Sequence, residues 1–335
     1  MASTPPHPAQ LIVDLGFGFI LSGALAAVTE LGVAERLAQG PKSPALLAEE
    51  LGADASSLFR ALRLLASVGV FTEDAEGRFG LTPAADLLRA QAPGSLRDAV
   101  LMLTQKIFWA PTGELAEMIR TGKTPFERIF GKPFFDYLAS DAAAGATFHR
   151  GMSSLSDLED GPIARSYDFS PFQKVVDVGG GHGGLLIEVL QAHPMLRGVL
   201  FDHAHVLAES RIARAGLSDR CEHVTGDFLQ AVPSGAGVYV LKRILHDWSD
   251  EVCVSILRNC RSAMAEGGRV LVIDTVIPPG NAPHGGKVLD VMMMASLQGR
   301  ERTEEDFRKL FAQAGLRLSR VLPTPTAMSI TEAVA

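Results

Sequence analysis

The sequence predicts an α/β protein in which a mainly parallel sheet, covered by helices on both faces, occupies the second half of the chain. From Gln173 onward, short runs rich in β-branched residues alternate with helical stretches, which is typical of strand–helix–strand units. The runs are KVVDV, GVLFD, CEHVT, GVYVLK and GRVLVID, with AMSITEAV at the end. Ligands bind at the carboxyl ends of parallel strands, so the residues that follow these runs are the candidate site residues.

The length of 335 residues exceeds the usual size of one domain and predicts more than one. We expect an N-terminal domain over residues 1–95, a helical region over 96–167 and the sheet domain over 168–335. Hydrophobic residues make up 47% of the chain and charged residues 21%, so the chain can bury a core and fold without a partner.

The N-terminal domain is predicted to run helix, helix, hairpin. Ser43 before Pro44 marks a helix start, because its side-chain oxygen can accept from a free amide of the first turn. A second helix is predicted from about Ser56 to Val68, and its apolar residues fall at helical spacing: Leu58, Leu62, Leu65 and Ala66. VFTEDAEGRFGLT then predicts strand, turn, strand, with Gly77 in the turn. This order is typical of a winged helix.

A winged helix raises the alternative of a DNA-binding regulator, and the charge argues against it. Residues 1–95 hold six basic and ten acidic side chains, a net charge of -4, and the whole chain carries -7. A helix that enters the major groove needs several basic or amide side chains, whereas this one carries mainly Leu, Phe and Ala. We therefore expect an assembly domain and no nucleic-acid partner.

The sequence predicts a cytoplasmic protein without a membrane partner. The start of the chain lacks the basic region, apolar run and small-residue cleavage site of a signal peptide. The apolar stretch from Leu11 to Val28 contains Asp14, Ser22 and three glycines, so we expect too few unbroken apolar residues for a membrane span. A buried or interface helix is expected instead. An odd set of cysteines without a close pair is typical of a reducing compartment: Cys221, Cys253 and Cys260.

The sharpest motif is VVDVGGGHGG, in which a strand ends at Val178 and glycines open a helix. Glycines let a ligand approach the backbone closely. Gly179, Gly181 and Gly184 also satisfy GxGxxG, so a dinucleotide site is a competing interpretation of the motif alone. Asp177 lies directly before the glycine turn, where a carboxylate suits the ammonium of an amino acid better than it suits a pyrophosphate.

Carboxylates follow two further strands. Asp202 ends VLFD, where it can accept from both ribose hydroxyls, a device that NAD proteins share. Asp227 and Phe228 follow the third strand in TGDF, where a carboxylate can accept from an adenine amino group and a ring can pack on the base. This combination favours an adenosine without a second nucleotide.

The fourth strand runs into LKRILHDWSD and places His246 and Asp247 at the mouth of the same crevice. An imidazole, with an ordinary pKa of about 6.5, is suited to removing a proton near neutral pH. A structural role for this pair is the alternative. The position at a strand end that faces a cofactor crevice favours His246 as a general base.

Taken in order, DVGGGHGG, FD, GDF, LHDWSD and GRERTEEDF resemble the small-molecule O-methyltransferases of the caffeate, hydroxyindole and bacterial polyketide or phenazine type. The resemblance covers nearly the whole chain. It implies a Rossmann-like class I methyltransferase domain with a mostly helical, winged-helix-like domain that forms a homodimer. It also implies S-adenosylmethionine as cofactor, no metal, and methyl transfer to a hydroxyl that we expect to be phenolic.

The resemblance also implies roles for particular residues. The cofactor site, including two residues that the glycine motif itself suggests, comprises Asp177, Gly179, Gly181, Asp202, Asp227, Phe228 and Lys242. His246 matches the family's general base, and the acidic residues that flank the base match Asp274 and Glu301. Asp274 is shorter than the glutamate common in plant members, so its contact with the imidazole is less assured.

An acceptor pocket is implied as well. Its lining positions are occupied here by Phe148, Met152, Met292 and Met293, although residues at helical spacing are also ordinary core residues. Arg243 stands where plant relatives carry an aromatic residue, and Asp247 lies next to the base. A polyketide phenol, a phenazine, a flavonoid or an indole fits this description equally. The acceptor atom, whether oxygen, nitrogen or carbon, stays open.

One alternative within the same fold also stays open. Such an enzyme keeps the cofactor but carries out a decarboxylation or a pericyclic step, and the presence of His246 argues against it. The sequence offers no convincing cluster of histidines and carboxylates for a metal. This argues against the magnesium-dependent catechol class.

Overall fold

A computed structural model describes residues 7–335, which divide into two compact units. The first unit comprises the described residues up to Trp109 together with Leu138–Leu155, and the second comprises Ala110–Tyr137 with Ser156–Ala335. The helical region expected over residues 96–167 is thus shared between the two units.

Short helices and one hairpin build the first part of the chain. In order, they are α1 (Pro8–Glu30), α2 (Val33–Arg36), α3 (Pro44–Leu51), α4 (Ala55–Ser67), β1 (Phe71–Glu73), β2 (Phe79–Leu81), α5 (Pro83–Asp86) and α6 (Arg97–Leu103). The predicted cap is confirmed, because Ser43 Oγ accepts from the amide of Leu46 at 3.3 Å. The predicted hairpin is confirmed too, with β1 and β2 antiparallel and Gly77 in the turn at a φ of 72°.

Helix α1 corrects one expectation, that too few unbroken apolar residues are present for a membrane span, and bears on a second, that the helix is buried or lies at an interface. Its glycines do not break it, and the 23-residue helix is long and apolar enough, by length and composition, to cross a membrane. Core helices of other proteins share that length and composition. The helix is also mostly exposed rather than buried, since Ile12 and Leu15 are each 69% exposed and Phe19 is 65% exposed. Burial is confined to the C-terminal end, at Val28 and Thr29.

The middle of the chain is helical, as predicted. Its helices are α7 (Lys106–Thr112), α8 (Leu115–Thr121), α9 (Phe126–Phe130), α10 (Phe134–Ser140) and the long α11 (Ala142–Arg165).

A seven-stranded, mostly parallel sheet forms the centre of the second unit, in the order β5-β4-β3-β6-β7-β9-β8. Its strands are β3 (Lys174–Val178), β4 (Arg197–Asp202), β5 (Cys221–Thr225), β6 (Val238–Lys242), β7 (Arg269–Asp274), β8 (Arg317–Pro323) and β9 (Ser329–Val334). All six runs identified in the sequence form strands. Strand β8 pairs with β9 in antiparallel fashion and was not predicted. None of its residues is fully buried, so it lacks the apolar run of the other strands.

Helices cover both faces of this sheet. The helices that follow β3 along the chain are α12 (Gly184–Ala192), α13 (Ala204–Leu207), α14 (Asp250–Ala263), α15 (Gly285–Ser296) and α16 (Glu304–Gln313). Alternate side chains of each strand point to opposite faces, so Val176 packs in a core with α14 and α16, and Val175 packs in a second core with α12. Since β3 to β7 are parallel, their carboxyl ends meet at one edge of the sheet.

Candidate active site

The glycine turn after β3 has a left-handed backbone at Gly179 and Gly181, and Gly179 also lacks space for a side chain. Gly179 and Gly181 have φ values of 66° and 58°, in the left-handed region that favours glycine. A Cβ atom on Gly179 would lie 2.6 Å from the Ile244 side chain and 3.3 Å from the ring of Phe228. The turn therefore leaves its backbone open to a ligand beside an aromatic ring.

Two strand-end carboxylates are fixed by main-chain donors. Asp202 accepts from the amides of Gly181 at 2.9 Å and His203 at 2.7 Å. Asp227 accepts from the amide of Leu229 at 2.8 Å. A carboxylate has about four lone-pair sites, so each keeps capacity for donors of a ligand. The sheet thus brings together the glycine turn and the two carboxylates that the sequence singled out.

Asp177 lies at the inner wall of this edge and is 3% exposed. Burial, with additional repulsion from Asp160 and Asp202, raises the pKa of Asp177 from 3.8 to about 7, against the attraction of Lys242. A bound cation next to this carboxyl would favour its ionised form. This electrostatic setting suits the ammonium that the sequence suggested.

Two cations at the end of β6 are paired with a short acidic segment of α11. Lys242 Nζ lies 2.5 Å from Asp160 Oδ1 and donates to Ser156 Oγ at 3.0 Å. Arg243 Nη2 donates to both carboxylate oxygens of Glu159, at 2.8 and 2.9 Å. Sequence reasoning named both cations and missed these partners, because no local motif links β6 with a helix that lies some 80 positions earlier.

The predicted base lies in a 3₁₀ turn, Leu245–Asp247, directly after β6. His246 is 5% exposed, and its Nδ1 lies 2.7 Å from Glu301 Oε1 while its Nε2 lies 3.5 Å from Asp247 Oδ1. Burial alone would lower the pKa of His246, but the surrounding carboxylates, led by Asp247 and Glu301, outweigh it and raise the pKa to about 9.

Of the two acidic residues expected beside the base, Glu301 contacts it and Asp274 does not form a hydrogen bond with it. Asp274 is 1% exposed, and within the described residues neither of its carboxylate oxygens has a hydrogen-bond partner. Burial raises the pKa of Asp274 to about 6, with His246 acting against the shift. Asp274 therefore acts on the imidazole through its charge and not through a hydrogen bond.

Two residues that sequence reasoning missed hold the turn of the base in place. Arg302 is 1% exposed and donates to the carbonyl oxygens of Leu245 at 2.8 Å and Trp248 at 3.0 Å, and to Asp250 at 2.7 Å. Gly299 packs so closely against the backbone of His246 and Asp247 that a Cβ atom there would overlap them. Both lie within the motif GRERTEEDF, which was the only sequence signal for them.

The expected pocket residues fall into both units. Phe148 and Met152 are half-buried on the part of α11 that belongs to the first unit. Met292 and Met293 lie on α15 in the second unit, where Met293 is buried and Met292 is half-buried. Their roles in acceptor binding stay predictions.

Fold and site together define a class I methyltransferase. The glycine turn, the strand-end carboxylates and the neighbouring Phe228 ring form a cradle that fits an adenosyl group, since donors of the ribose and the base can meet carboxylate oxygens there. Residues 112–317 match the family model of the O-methyltransferase domain, and residues 13–91 match that of the O-methyltransferase dimerisation domain. The chain belongs to this O-methyltransferase family and is an S-adenosylmethionine-dependent enzyme.

Relatives and solved structures agree with this assignment along nearly the whole chain. A phenazine O-methyltransferase of Lysobacter antibioticus is 41% identical over 97% of this chain and 96% of its own length. The crystal structure of CalO1, a methyltransferase of calicheamicin biosynthesis with S-adenosylhomocysteine bound, is 43% identical, has a TM-score of 0.89 and covers 98% and 99% of the two chains. NcsB1, crystallised with S-adenosylmethionine and 2-hydroxy-5-methyl naphthoic acid, is 37% identical, with a TM-score of 0.81 and coverage of 94% and 95%.

Proposed function

We propose that this enzyme methylates a phenolic hydroxyl of a small aromatic molecule of secondary metabolism, with His246 as the general base. The observation that carries the proposal is the 2.7 Å contact between His246 Nδ1 and Glu301, at the sheet edge that also holds the glycine turn. A phenol, with a pKa near 10, is a weak nucleophile at neutral pH until its proton is removed. A buried imidazole oriented by a carboxylate suits that task.

The residues of the cradle are assigned as follows. Asp202 would accept from the ribose hydroxyls, Asp227 from the adenine amino group, and Phe228 would pack on the base. Asp177 would face the ammonium, and bound S-adenosylmethionine would supply the methyl group. Lys242, which is paired with Asp160, would lie at the amino-acid end of the cofactor.

His246 would take the proton of the acceptor at Nε2 while Nδ1 donates to Glu301. The negative charge of Glu301 would stabilise the imidazolium that forms, as the carboxylate does in hydrolase triads. Holding the acceptor oxygen in line with the transferred group supplies much of the remaining acceleration, because displacement depends steeply on alignment. No step of this sequence needs a metal ion.

An aromatic acceptor is supported by the named substrates of relatives. The Lysobacter enzyme acts on a phenazine, and NcsB1 was crystallised with a hydroxynaphthoic acid. Within the second unit, the half-buried Met292 is a soft side chain of the kind that lines pockets for planar ligands. The roles of Phe148 and Met152 rest on the family resemblance. Arg243 and Asp247 would set the polarity of the mouth of the pocket.

The enzyme is further proposed to be a cytoplasmic homodimer. Helix α1 exposes a row of large apolar side chains, and their contact with water is unfavourable in free energy. The match of residues 13–91 to a dimerisation domain favours a second copy of this chain over lipid as the cover. All three cysteines are buried free thiols, which is consistent with a reducing compartment.

A calorimetric titration with S-adenosylhomocysteine tests the cofactor site, and mass spectrometry of hydroxyphenazine or 2-hydroxy-5-methyl naphthoic acid incubated with S-adenosylmethionine tests the transfer. We expect binding in the micromolar range and a product heavier by one methylene. His246→Ala should keep the affinity for S-adenosylhomocysteine and lose turnover. Turnover of this variant at the wild-type rate would remove His246 as the base.

A further inference from the structure

Both ring nitrogens of His246 face carboxylates. Nδ1 lies 2.7 Å from Glu301 Oε1, and Nε2 lies 3.5 Å from Asp247 Oδ1. A neutral imidazole carries one N–H, so it would satisfy one of these contacts and set a lone pair against a carboxylate oxygen at the other. The imidazolium carries two N–H groups, so it can donate to Glu301 through Nδ1, and its positive charge also attracts Asp247 at the ion-pair distance of Nε2.

The other charged groups around the ring strengthen this preference. Asp274, from β7, adds a third carboxylate, which is itself buried and has no hydrogen-bond partner among the described residues. The cations nearby are engaged elsewhere, because Arg302 pairs with Asp250 and Arg243 pairs with Glu159. The balance keeps the pKa of His246 above its ordinary range despite burial.

We propose that Asp247 is a gate on the base: in the acceptor-free enzyme it holds His246 as an imidazolium through Nε2, and an arriving acceptor hydroxyl must displace it. The inference rests on the proposed function, in which Nε2 is the atom that receives the acceptor proton. Asp247 is then a positioning residue that decides when His246 becomes a base.

The proton movements balance as follows. When the hydroxyl arrives, the Nε2–H bond breaks and the proton bonds to Asp247 Oδ1, which leaves a neutral imidazole that still donates through Nδ1 to Glu301. The acceptor O–H bond then breaks, its proton bonds to Nε2, and the electron pair stays on the acceptor oxygen. Asp247 also offers a way out to solvent, since its side chain is 19% exposed and that of Glu301 is 0% exposed. One proton is released for each hydroxyl that is methylated.

Nitrogen NMR of protein labelled with ¹⁵N-histidine, without acceptor or cofactor, tests the gate. The His246 signals are identified by their loss in His246→Gln. We expect both ring nitrogens of His246 to be protonated near neutral pH in the wild type. In Asp247→Asn the midpoint should fall by about one to three pH units, the usual effect of removing an opposite charge at this range. Glu251→Gln, which removes a carboxylate of the next helix that does not face the ring, should titrate like the wild type.

Two results would overturn the gate: a wild-type His246 that titrates near its ordinary value of about 6.5, or an unchanged midpoint in Asp247→Asn. A wild-type His246 that titrates near its ordinary value overturns the gate even where the variant does not fold, whereas the role of Asp247 in particular is tested by Asp247→Asn. Because neither acceptor nor cofactor is present, this result is independent of the calorimetric and mass-spectrometric tests of the proposed function. A chain that binds no S-adenosylhomocysteine but keeps a charged His246 would refute the proposed function and leave only the held imidazolium, so the two failures are distinguishable.

Discussion

Glu301 Oε1 lies 2.7 Å from His246 Nδ1, although 55 positions separate the two residues along the chain. The other carboxylate oxygen of Glu301 has no hydrogen-bond partner among the described residues. Among the described residues, the carboxylate of Glu301 therefore hydrogen-bonds only to the imidazole ring of His246. It fixes the N–H at Nδ1 and leaves Nε2 as the nitrogen that can exchange a proton with an acceptor.

Glu301→Gln is expected to lower kcat by about 10²- to 10⁴-fold, the range found when a catalytic base loses its proper setting. The amide keeps the shape of the side chain but not the charge that stabilises an imidazolium. The affinity for S-adenosylhomocysteine should stay unchanged, because Glu301 is not part of the adenosyl cradle. Initial rates by product mass and a calorimetric titration measure the two quantities.

Glu304→Gln is the matched control for Glu301→Gln. Glu304 lies on α16, where its half-exposed side chain pairs with Arg308. We expect wild-type kcat from this variant. Equal activity of the two variants would remove Glu301 from the catalytic machinery.

Lys242→Met is expected to destabilise the fold by about 3–5 kcal/mol, the usual cost of leaving one partner of a buried ion pair without the other. The side chains of Lys242 and Asp160 are 9% and 5% exposed, so water cannot compensate the remaining carboxylate. Adding Asp160→Leu to Lys242→Met should recover most of the loss, because both buried charges are then gone. Urea denaturation of the three proteins measures the free energy of unfolding.

An exposed ion pair supplies the contrast. Arg308→Met breaks contacts with Glu304 and Glu305 on α16, where all three side chains are more than half exposed. Surface pairs of this kind contribute about 0–1 kcal/mol, so little change is expected. Equal destabilisation by Arg308→Met and Lys242→Met would show that burial of the Lys242–Asp160 pair does not matter.

Asp177 is expected to make the free energy of unfolding fall as the pH rises. Burial raises the pKa of this carboxyl to about 7 in the folded chain, so the folded state holds a proton that the unfolded chain releases near pH 4. The stabilisation is complete below about pH 4 and is lost as the pH rises through about 7. The difference is on the order of 4 kcal/mol by linkage. Asp177→Asn cannot ionise, so its stability relative to the wild type should grow over this interval.

Denaturation series at several pH values measure the effect, and Asp168→Asn gives the opposite sign. A hydrogen bond from Ser170 lowers the pKa of Asp168, so its contribution is present above the ordinary pKa and lost as the pH falls. The Asp168 carboxyl is exposed, and its effect should be small. Parallel stability curves for the wild type and Asp177→Asn would contradict the assignment of a raised pKa to Asp177.

The apolar row on α1 is expected to hold two chains together. Leu15→Glu with Phe19→Glu places two charges at positions that are 69% and 65% exposed, so the isolated fold should tolerate them while an apolar interface should not. We expect light scattering to change from the mass of two chains to that of one. Met195→Glu, at a lone apolar residue that is 91% exposed, should leave the mass unchanged. A wild-type chain that is already monomeric would remove the proposed dimer.

Most of the sheet could be predicted from sequence because six of its seven strands have a local sequence pattern that is typical of buried strands. A β-branched run such as KVVDV is buried on both faces, and the carboxylate or glycine that follows it marks the functional edge. Strand β8 lacked this signal, since its burial pattern shows no buried position. The length of helix α1 was underestimated because glycines were taken as breaks. Gly16 and Gly18 weaken a helix without ending it, and neither residue shows whether the helix is buried.

Contacts between distant segments set the limit of prediction at the site. The motif around His246 indicated a base, but the pairing of Lys242 with Asp160, 82 positions earlier, depends on how β6 and α11 pack. The substitution of aspartate for glutamate at Asp274 was visible in the sequence. Its consequence, a carboxylate without a hydrogen-bond partner among the described residues, depends on the folded structure.

Gly299→Ala is expected to impair the base by displacing the backbone of its turn, away from the imidazole ring. A Cβ atom at this position would overlap the carbonyl oxygen of His246 and lie 2.6 Å from the carbonyl carbon of Asp247, so the 3₁₀ turn must move. Overpacking against a backbone costs about 1–3 kcal/mol, and movement of the turn would lengthen the 2.7 Å contact between His246 and Glu301. We expect a lower kcat, a lower free energy of unfolding and a smaller effect on the affinity for S-adenosylhomocysteine.

Gly285→Ala is the matched control, because a Cβ atom on Gly285 meets no atom within 4 Å at the start of α15. That variant should keep the wild-type kcat and stability, since alanine favours a helix more than glycine does. Initial rates and urea denaturation of both variants separate a displaced turn from a general loss of stability. A Gly299→Ala enzyme with the wild-type rate would mean that the turn tolerates displacement, and the close approach of Gly299 would then have no bearing on the position of His246.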